Sequence, residues 1–148
     1  MLSTASWLHF LTYTPTCIKE HHVATIELTL ENFEATVNDN DFIFVDFWAE
    51  WCGPCKQFGP VFEAAAEKHD DIVFGKVDAD TQQQLAGHFN IRSIPTLMAI
   101  RDNVVLFSQP GALPAHAFDD LIEQIRAVDM DDVRRQIAEE QAAAADAD

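Results

Sequence analysis

Basic side chains are scarce in this chain. Nine Lys and Arg stand against 25 Asp and Glu, a formal net charge of −16. So acidic a surface repels phosphate backbones and anionic headgroups, so neither nucleic acid nor a membrane is an expected partner. Long apolar runs are missing as well: nothing approaches the roughly 18 residues of a membrane-spanning helix. The apolar stretch Trp7-Leu8-His9-Phe10-Leu11 has no Lys or Arg before it, and no small-residue cleavage site closes it, which fits a signal peptide poorly. Cysteine is rare, three in 148 residues. That is no disulfide framework; an odd count containing one C-x-x-C suits a reducing compartment in which the pair cycles.

What is present is a globular composition, 48% apolar, in a length sufficient for one domain with a real core. Residues 1–22 show no period and read as a flexible extension, or as an upstream reach of a protein whose translation starts near Val23. Residues 23–128 alternate strand-like and helix-like segments. Residues 129–148 are acidic and Ala-rich, and predict a short exposed helix that frays. Asp131 and Asp132 lie at its start, where they favour the dipole, and Arg134-Arg135 are followed by Glu139-Glu140, which makes Arg135 and Glu139 i,i+4 neighbours of opposite charge.

In the middle region, strands are expected over 24–29, 42–48, 72–77, 96–101 and 104–109, from β-branched and aromatic content. Asp102-Asn103 is the expected hairpin turn between the last two. Helices are expected after Thr29 as a cap, with Phe33 and Val37 inward; over 53–69, kinked at Pro60; from a cap at Asp80 or Thr81 to His88; and over 113–128, with Phe118, Leu121, Ile122 and Ile125 on one face. Alternating strands and helices predict an α/β sandwich, and the late hairpin makes its sheet of about five strands mixed.

The chemistry concentrates at Trp51-Cys52-Gly53-Pro54-Cys55. Cys52 falls at a strand-to-helix turn, near unpaired N–H groups and the positive end of a helix dipole. That setting favours thiolate over a thiol whose ordinary pKa is about 8.5, and the thiolate is the nucleophile of disulfide exchange. Cys52 is expected to face solvent, with Cys55 one turn further in and able to close a small disulfide ring with it. Cys52 would attack a substrate disulfide and Cys55 would resolve the mixed disulfide. Pro54 stiffens the ring and Gly53 permits close backbone approach. A zinc half-site would need two more ligands, and only Cys17, His21 and His22 cluster elsewhere. A c-type haem site needs His at position 56, which is Lys. A structural disulfide across two residues would constrain the unfolded chain little. No metal or organic cofactor is expected.

The run from Val45 to Lys56, together with Lys76-Val77-Asp78, the stretch Ile91 to Leu97 and Gly111-Ala112-Leu113, resembles the thioredoxin family in order and spacing over residues 23–128. The resemblance implies the thioredoxin fold, a three-layer α/β/α sandwich. It implies protein-disulfide reduction, since Gly-Pro between the cysteines goes with reductants. It also implies recharging by an NADPH-dependent flavoprotein thioredoxin reductase, disulfide-containing client proteins, a monomer and a cytoplasmic location.

Position by position, the resemblance makes Cys52 the attacking and Cys55 the resolving thiol. Asp46 becomes a buried carboxylate of raised pKa that accepts the Cys55 proton, unless it is a solvated strand-end residue. Lys76 resembles the lysine that approaches this carboxylate and reads equally as a surface lysine. Ile94-Pro95 matches the family's cis-proline site, which would bring the residue 94 backbone beside Cys52. Trp51, Ile94, Pro95, Gly111 and Ala112 would form the client groove, with Trp48 packed beneath. Two positions depart from the pattern: Ser93 replaces a frequent Gly and crowds the groove, and Asp102-Asn103 replaces a Gly-containing turn. Two other readings stay open: an exported oxidoreductase, and a chaperone-like binding module in which redox chemistry is incidental.

Overall fold

A computed structural model describes residues 24–147; the expectations placed on residues 1–22, including Cys17, and on Val23 lie outside them. The elements in chain order are β1 (Thr25–Glu27), α1 (Phe33–Asp39), β2 (Phe42–Trp48), α2 (Gly53–Lys68), β3 (Val73–Asp78), α3 (Gln83–His88), β4 (Thr96–Arg101), β5 (Val104–Pro110), α4 (Ala115–Arg126) and α5 (Met130–Asp146). They build one sheet in the order β1-β3-β2-β4-β5. The first three strands in that order run parallel, and β4 and β5 are antiparallel to their neighbours. This is the mixed sheet the sequence implies.

Strand β2 runs through the middle, buried on both faces, and the period of two divides its side chains between two cores. Phe42 and Phe44 face α2 and α4, where Phe58, Phe62, Phe74, Phe118 and Ile122 pack with them. Ile43, Val45 and Phe47 face the other way, against Leu28, Phe33, Val77, Leu85 and Met98. The phenylalanines of the first core interlock edge-on and stacked, with Phe44–Phe118 at 5.3 Å and Phe62–Phe118 at 5.9 Å between centroids. By the same alternation Asp46 falls on the α2 face. Its register partners there are Lys76 on β3 and Leu97 on β4.

The hairpin turn is where the sequence puts it. Asp102 and Asn103 hold φ of 51° and 64°, the left-handed conformations that a two-residue turn of right-handed twist needs and that Asp and Asn tolerate. Several boundaries differ. Strand β1 is shorter than expected. Asn32, not Thr29, takes the α1 N-cap position; its Oδ1 accepts the Thr29 N–H at 2.8 Å and its Nδ2 donates to the Glu27 carbonyl at 3.0 Å, so the side chain ties the β1–α1 turn. Helix α3 begins later, after Gln82, because the Asp78 carboxylate takes the Asp80 and Thr81 N–H groups in a preceding turn. Helix α2 continues across Pro60.

The acidic tail is a larger element than expected. Helix α5 has 17 residues, and Asp129 caps it by accepting the N–H groups of Asp131 and Asp132. Met130 is buried. Arg134 and Arg135 pair backwards at i,i+3, with Asp131 and Asp132, rather than forwards with Glu139 and Glu140, and Arg134 also reaches Asp102 of the hairpin turn at 3.1 Å. A capped first turn already places those aspartates one turn before the arginines, which explains the preference.

Candidate active site

Strand β2 ends at Trp48 and the chain turns into α2 at Gly53, so Cys52 is the helix N-cap. Its Sγ accepts the Cys55 N–H at 3.2 Å. Cys52 and Cys55 are joined as a disulfide, with Cα atoms 5.3 Å apart. An N–H donor and a dipole already aimed at Sγ will stabilise the negative charge that appears there on reduction. Pro54 sits in the first helical turn, where its missing N–H leaves no partner unsatisfied.

The two cysteines are equally covered, each 4% exposed, so Cys52 does not face solvent as the sequence predicts. Trp48 and Ile94 pack over Ala49, Cys52 and Cys55, and the disulfide ties the two sulfurs into that cluster. Access is left at the rim, where Trp51 is 71% exposed and Gly53 and Pro54 are also exposed.

The Ile94–Pro95 peptide is cis, and the Ile94 carbonyl oxygen lies 3.7 Å from Cys52 Sγ. Gly111, at φ of 115°, donates its N–H to the Pro95 carbonyl at 2.8 Å. This hydrogen bond joins the cis-proline loop to the Gly111-Ala112 turn, and both Gly111 and Ala112 are exposed. Ser93 is exposed too, and its carbonyl accepts the Thr96 hydroxyl at 2.5 Å. Of the five expected groove residues, Trp51, Gly111 and Ala112 are exposed, Ile94 is half-buried against Cys52, and Pro95 is buried.

Asp46, on the face of β2 that turns toward α2, is fully buried, and neither carboxylate oxygen takes a hydrogen bond from any of the described residues. Burial pushes its pKa from 3.8 up to about 7, and the Lys76 charge opposes that rise. Lys76 acts on Asp46 without a salt bridge to it. Its Nζ is 3.7 Å from Glu63 Oε1 and 5.2 Å from the centre of the Trp48 ring. A depression of about 310 Å³, lined by Trp48, Cys55, Gly59, Pro60, Glu63 and Lys76 among others, opens here to solvent. Two contacting residues escape the sequence reading. Asp80 accepts the Trp51 indole N–H at 2.7 Å instead of capping α3. Glu63 pairs with Lys76, and the spacing of Cys55, Gly59 and Glu63 along one helix face was the available signal. Among the described residues no cluster of His, Cys, Asp and Glu is placed to hold a metal ion.

A cysteine pair that closes a disulfide at a helix mouth, beside a cis-proline loop, suits disulfide exchange. The thioredoxin family model matches residues 24–125. The chain belongs to the thioredoxin family. It is 61% identical over 121 residues to a Streptomyces coelicolor protein called putative thioredoxin 2, covering 82% of this chain and 90% of that one. Identity to the Bacillus subtilis thioredoxin is 35% over 103 residues, 69% of this chain and 98% of that one. Among solved structures, a single-site mutant of a Halobacterium salinarum thioredoxin aligns with a TM-score of 0.64 at 33% identity, covering 69% of this chain and 91% of that one. A Plasmodium falciparum thioredoxin aligns with a TM-score of 0.63 at 33% identity, covering 68% and 97%. Like these thioredoxins the chain has the thioredoxin fold, and it is a protein-disulfide oxidoreductase whose redox group is the Cys52–Cys55 pair.

Proposed function

We propose that this thioredoxin reduces the disulfides of client proteins in the cytoplasm as a monomer, and that a flavoprotein thioredoxin reductase returns it to the dithiol form with electrons from NADPH. The catalytic domain is assigned to residues 23–128, with residues 1–22 an extension and residues 129–148 a tail. The observation that carries the direction of attack is the N-cap: the Cys55 N–H points at Cys52 Sγ, so of the two sulfurs Cys52 holds negative charge with less penalty.

In this reading the reduced Cys52 thiolate attacks one sulfur of a client disulfide. The client S–S bond breaks, one client thiolate leaves and takes a proton, and a Cys52–client disulfide forms. Cys55 then gives its proton to the Asp46 carboxylate, directly or through water, and its thiolate attacks Cys52 Sγ. The second client sulfur departs as thiolate, and the Cys52–Cys55 disulfide remains with two electrons passed to the client. An acid whose pKa is about 7 both takes and releases a proton near neutrality, as a general base in this step must. Lys76 tunes that acid electrostatically. Gly53 and Pro54 shape the ring, and Trp51, Ile94, Pro95, Gly111 and Ala112 receive an extended client segment, with the Ile94 carbonyl nearest the reacting sulfur. The odd cysteine count supports a reducing compartment.

The test is insulin-disulfide reduction driven by dithiothreitol. Cys52→Ser is expected to abolish it, and Cys55→Ser to accumulate mixed disulfides with the client. Equal behaviour of the two variants would remove the division of labour.

A further inference from the structure

The Lys76 ammonium lies between two acids of different character. Asp46 is fully buried and its oxygens have no hydrogen-bond partner among the described residues, so its charged form carries a desolvation cost. Glu63 lines the depression that Lys76 also lines, with its side chain 58% exposed to solvent. The ammonium sits with the second, 3.7 Å from Glu63 Oε1, with the Trp48 ring as its other support. Gly59, one turn earlier on α2, lies against the same ammonium: a Cβ there would stand 3.9 Å from Lys76 Nζ, in ordinary contact.

We propose that Glu63 is a positioning residue of the exchange centre: by pairing with Lys76 it keeps the ammonium at the mouth of the depression and out of a direct salt bridge with Asp46. The inference rests on the reading of Asp46 as the proton acceptor of the resolving step. A direct Lys76–Asp46 salt bridge would hold the carboxylate ionised and make it a weak base at neutral pH. With Glu63 holding the lysine, Asp46 feels only a through-space charge and stays poised between its two forms. The other charged groups around Lys76 are Lys56 on α2 and, along the strand edge, Glu27 on β1 and Asp78 on β3. Leu97, opposite Asp46 on β4, is uncharged. Of the acids, Glu63 alone is in ion-pair contact with Lys76 among the described residues.

The experiment is a carbon-detected NMR titration of the Asp46 carboxyl in the full-length disulfide form, in which neither Cys52 nor Cys55 titrates. Glu63→Gln, a change at an exposed site, is expected to lower the Asp46 midpoint by about half a pH unit, because the freed lysine turns inward. Lys76→Met is expected to raise it. In the Lys76→Met background Glu63→Gln is expected to add no further change. An unmoved or raised midpoint in Glu63→Gln overturns the proposal. So does an equal fall with and without Lys76, since Glu63 would then act as a bare charge. The pH profile of insulin reduction separates this inference from the reading beneath it. If the Asp46 midpoint follows Glu63 but the rate profile does not, the clamp stands and the proton-acceptor role of Asp46 fails.

Discussion

The two ends of the sheet hold their inward charged side chains in opposite ways: Arg101 is half-buried and Asp46 fully buried. At the far end of β4, the Arg101 guanidinium donates from Nη1 to the carbonyls of Ile125, Arg126 and Val128, at 3.1, 3.0 and 2.8 Å. It closes the C-terminus of α4, satisfies carbonyls that a helix end leaves free, and meets the negative end of the dipole. At the other end, Asp46 takes no hydrogen bond from any of the described residues. The guanidinium, shared among three carbonyls, serves the architecture. The carboxyl, pushed up to about 7 by burial, has the pKa that the proposed proton transfer requires. The acidic helix α5 hangs from the Arg101 end, through Arg134 to Asp102 and through buried Met130, away from the chemistry.

The contrast is broken most forcefully at Asp46. Raising its pKa from 3.8 to about 7 means the folded protein holds this proton over a pH range in which the unfolded chain has lost it. The contribution to stability is therefore complete below pH 3.8 and is lost as pH rises through about 7, a fall of about 4 kcal/mol. Asp46→Asn is expected to lack that fall, so that denaturant titration at alkaline pH finds it more stable than the parent, with the difference vanishing in acid. The same variant is expected to slow insulin reduction at neutral pH by about 10²-fold.

Arg101→Met sharpens the comparison from the other side. Losing the charged donor shared by three carbonyls is expected to lower stability by about 2 kcal/mol. The pH–rate profile of insulin reduction should keep its shape; a shifted profile would mean the two ends are coupled. The smallest effect is expected at Asp129→Ala, which removes the α5 cap at about 1 kcal/mol. Circular dichroism should report lost helix while the reduction rate stays unchanged.

Much of the site was legible because it is local in sequence. The cysteine pair, the strand before it and the helix after it are contiguous, and Asp46 betrays itself as an acid inside an apolar run. The Asp102-Asn103 turn was legible for the same reason. What escaped depends on contacts between distant segments. Arg101 finds α4 carbonyls about 25 positions away. Asp80 turns to Trp51 across 29 positions. Lys76 is in ion-pair contact with exposed Glu63 and not with buried Asp46, its register partner on β2. The burial of Cys52 comes from Trp48 and Ile94 closing over the disulfide, and no local pattern announces that.

The most direct test is the pH titration of Cys52 in the reduced protein, followed by thiolate ultraviolet absorbance with Cys55→Ser present to leave one active-site thiol. The account predicts a midpoint clearly below that of a free cysteine, about 8.5, because an N–H and a helix dipole converge on that sulfur. A midpoint at or above the free-cysteine value would contradict it.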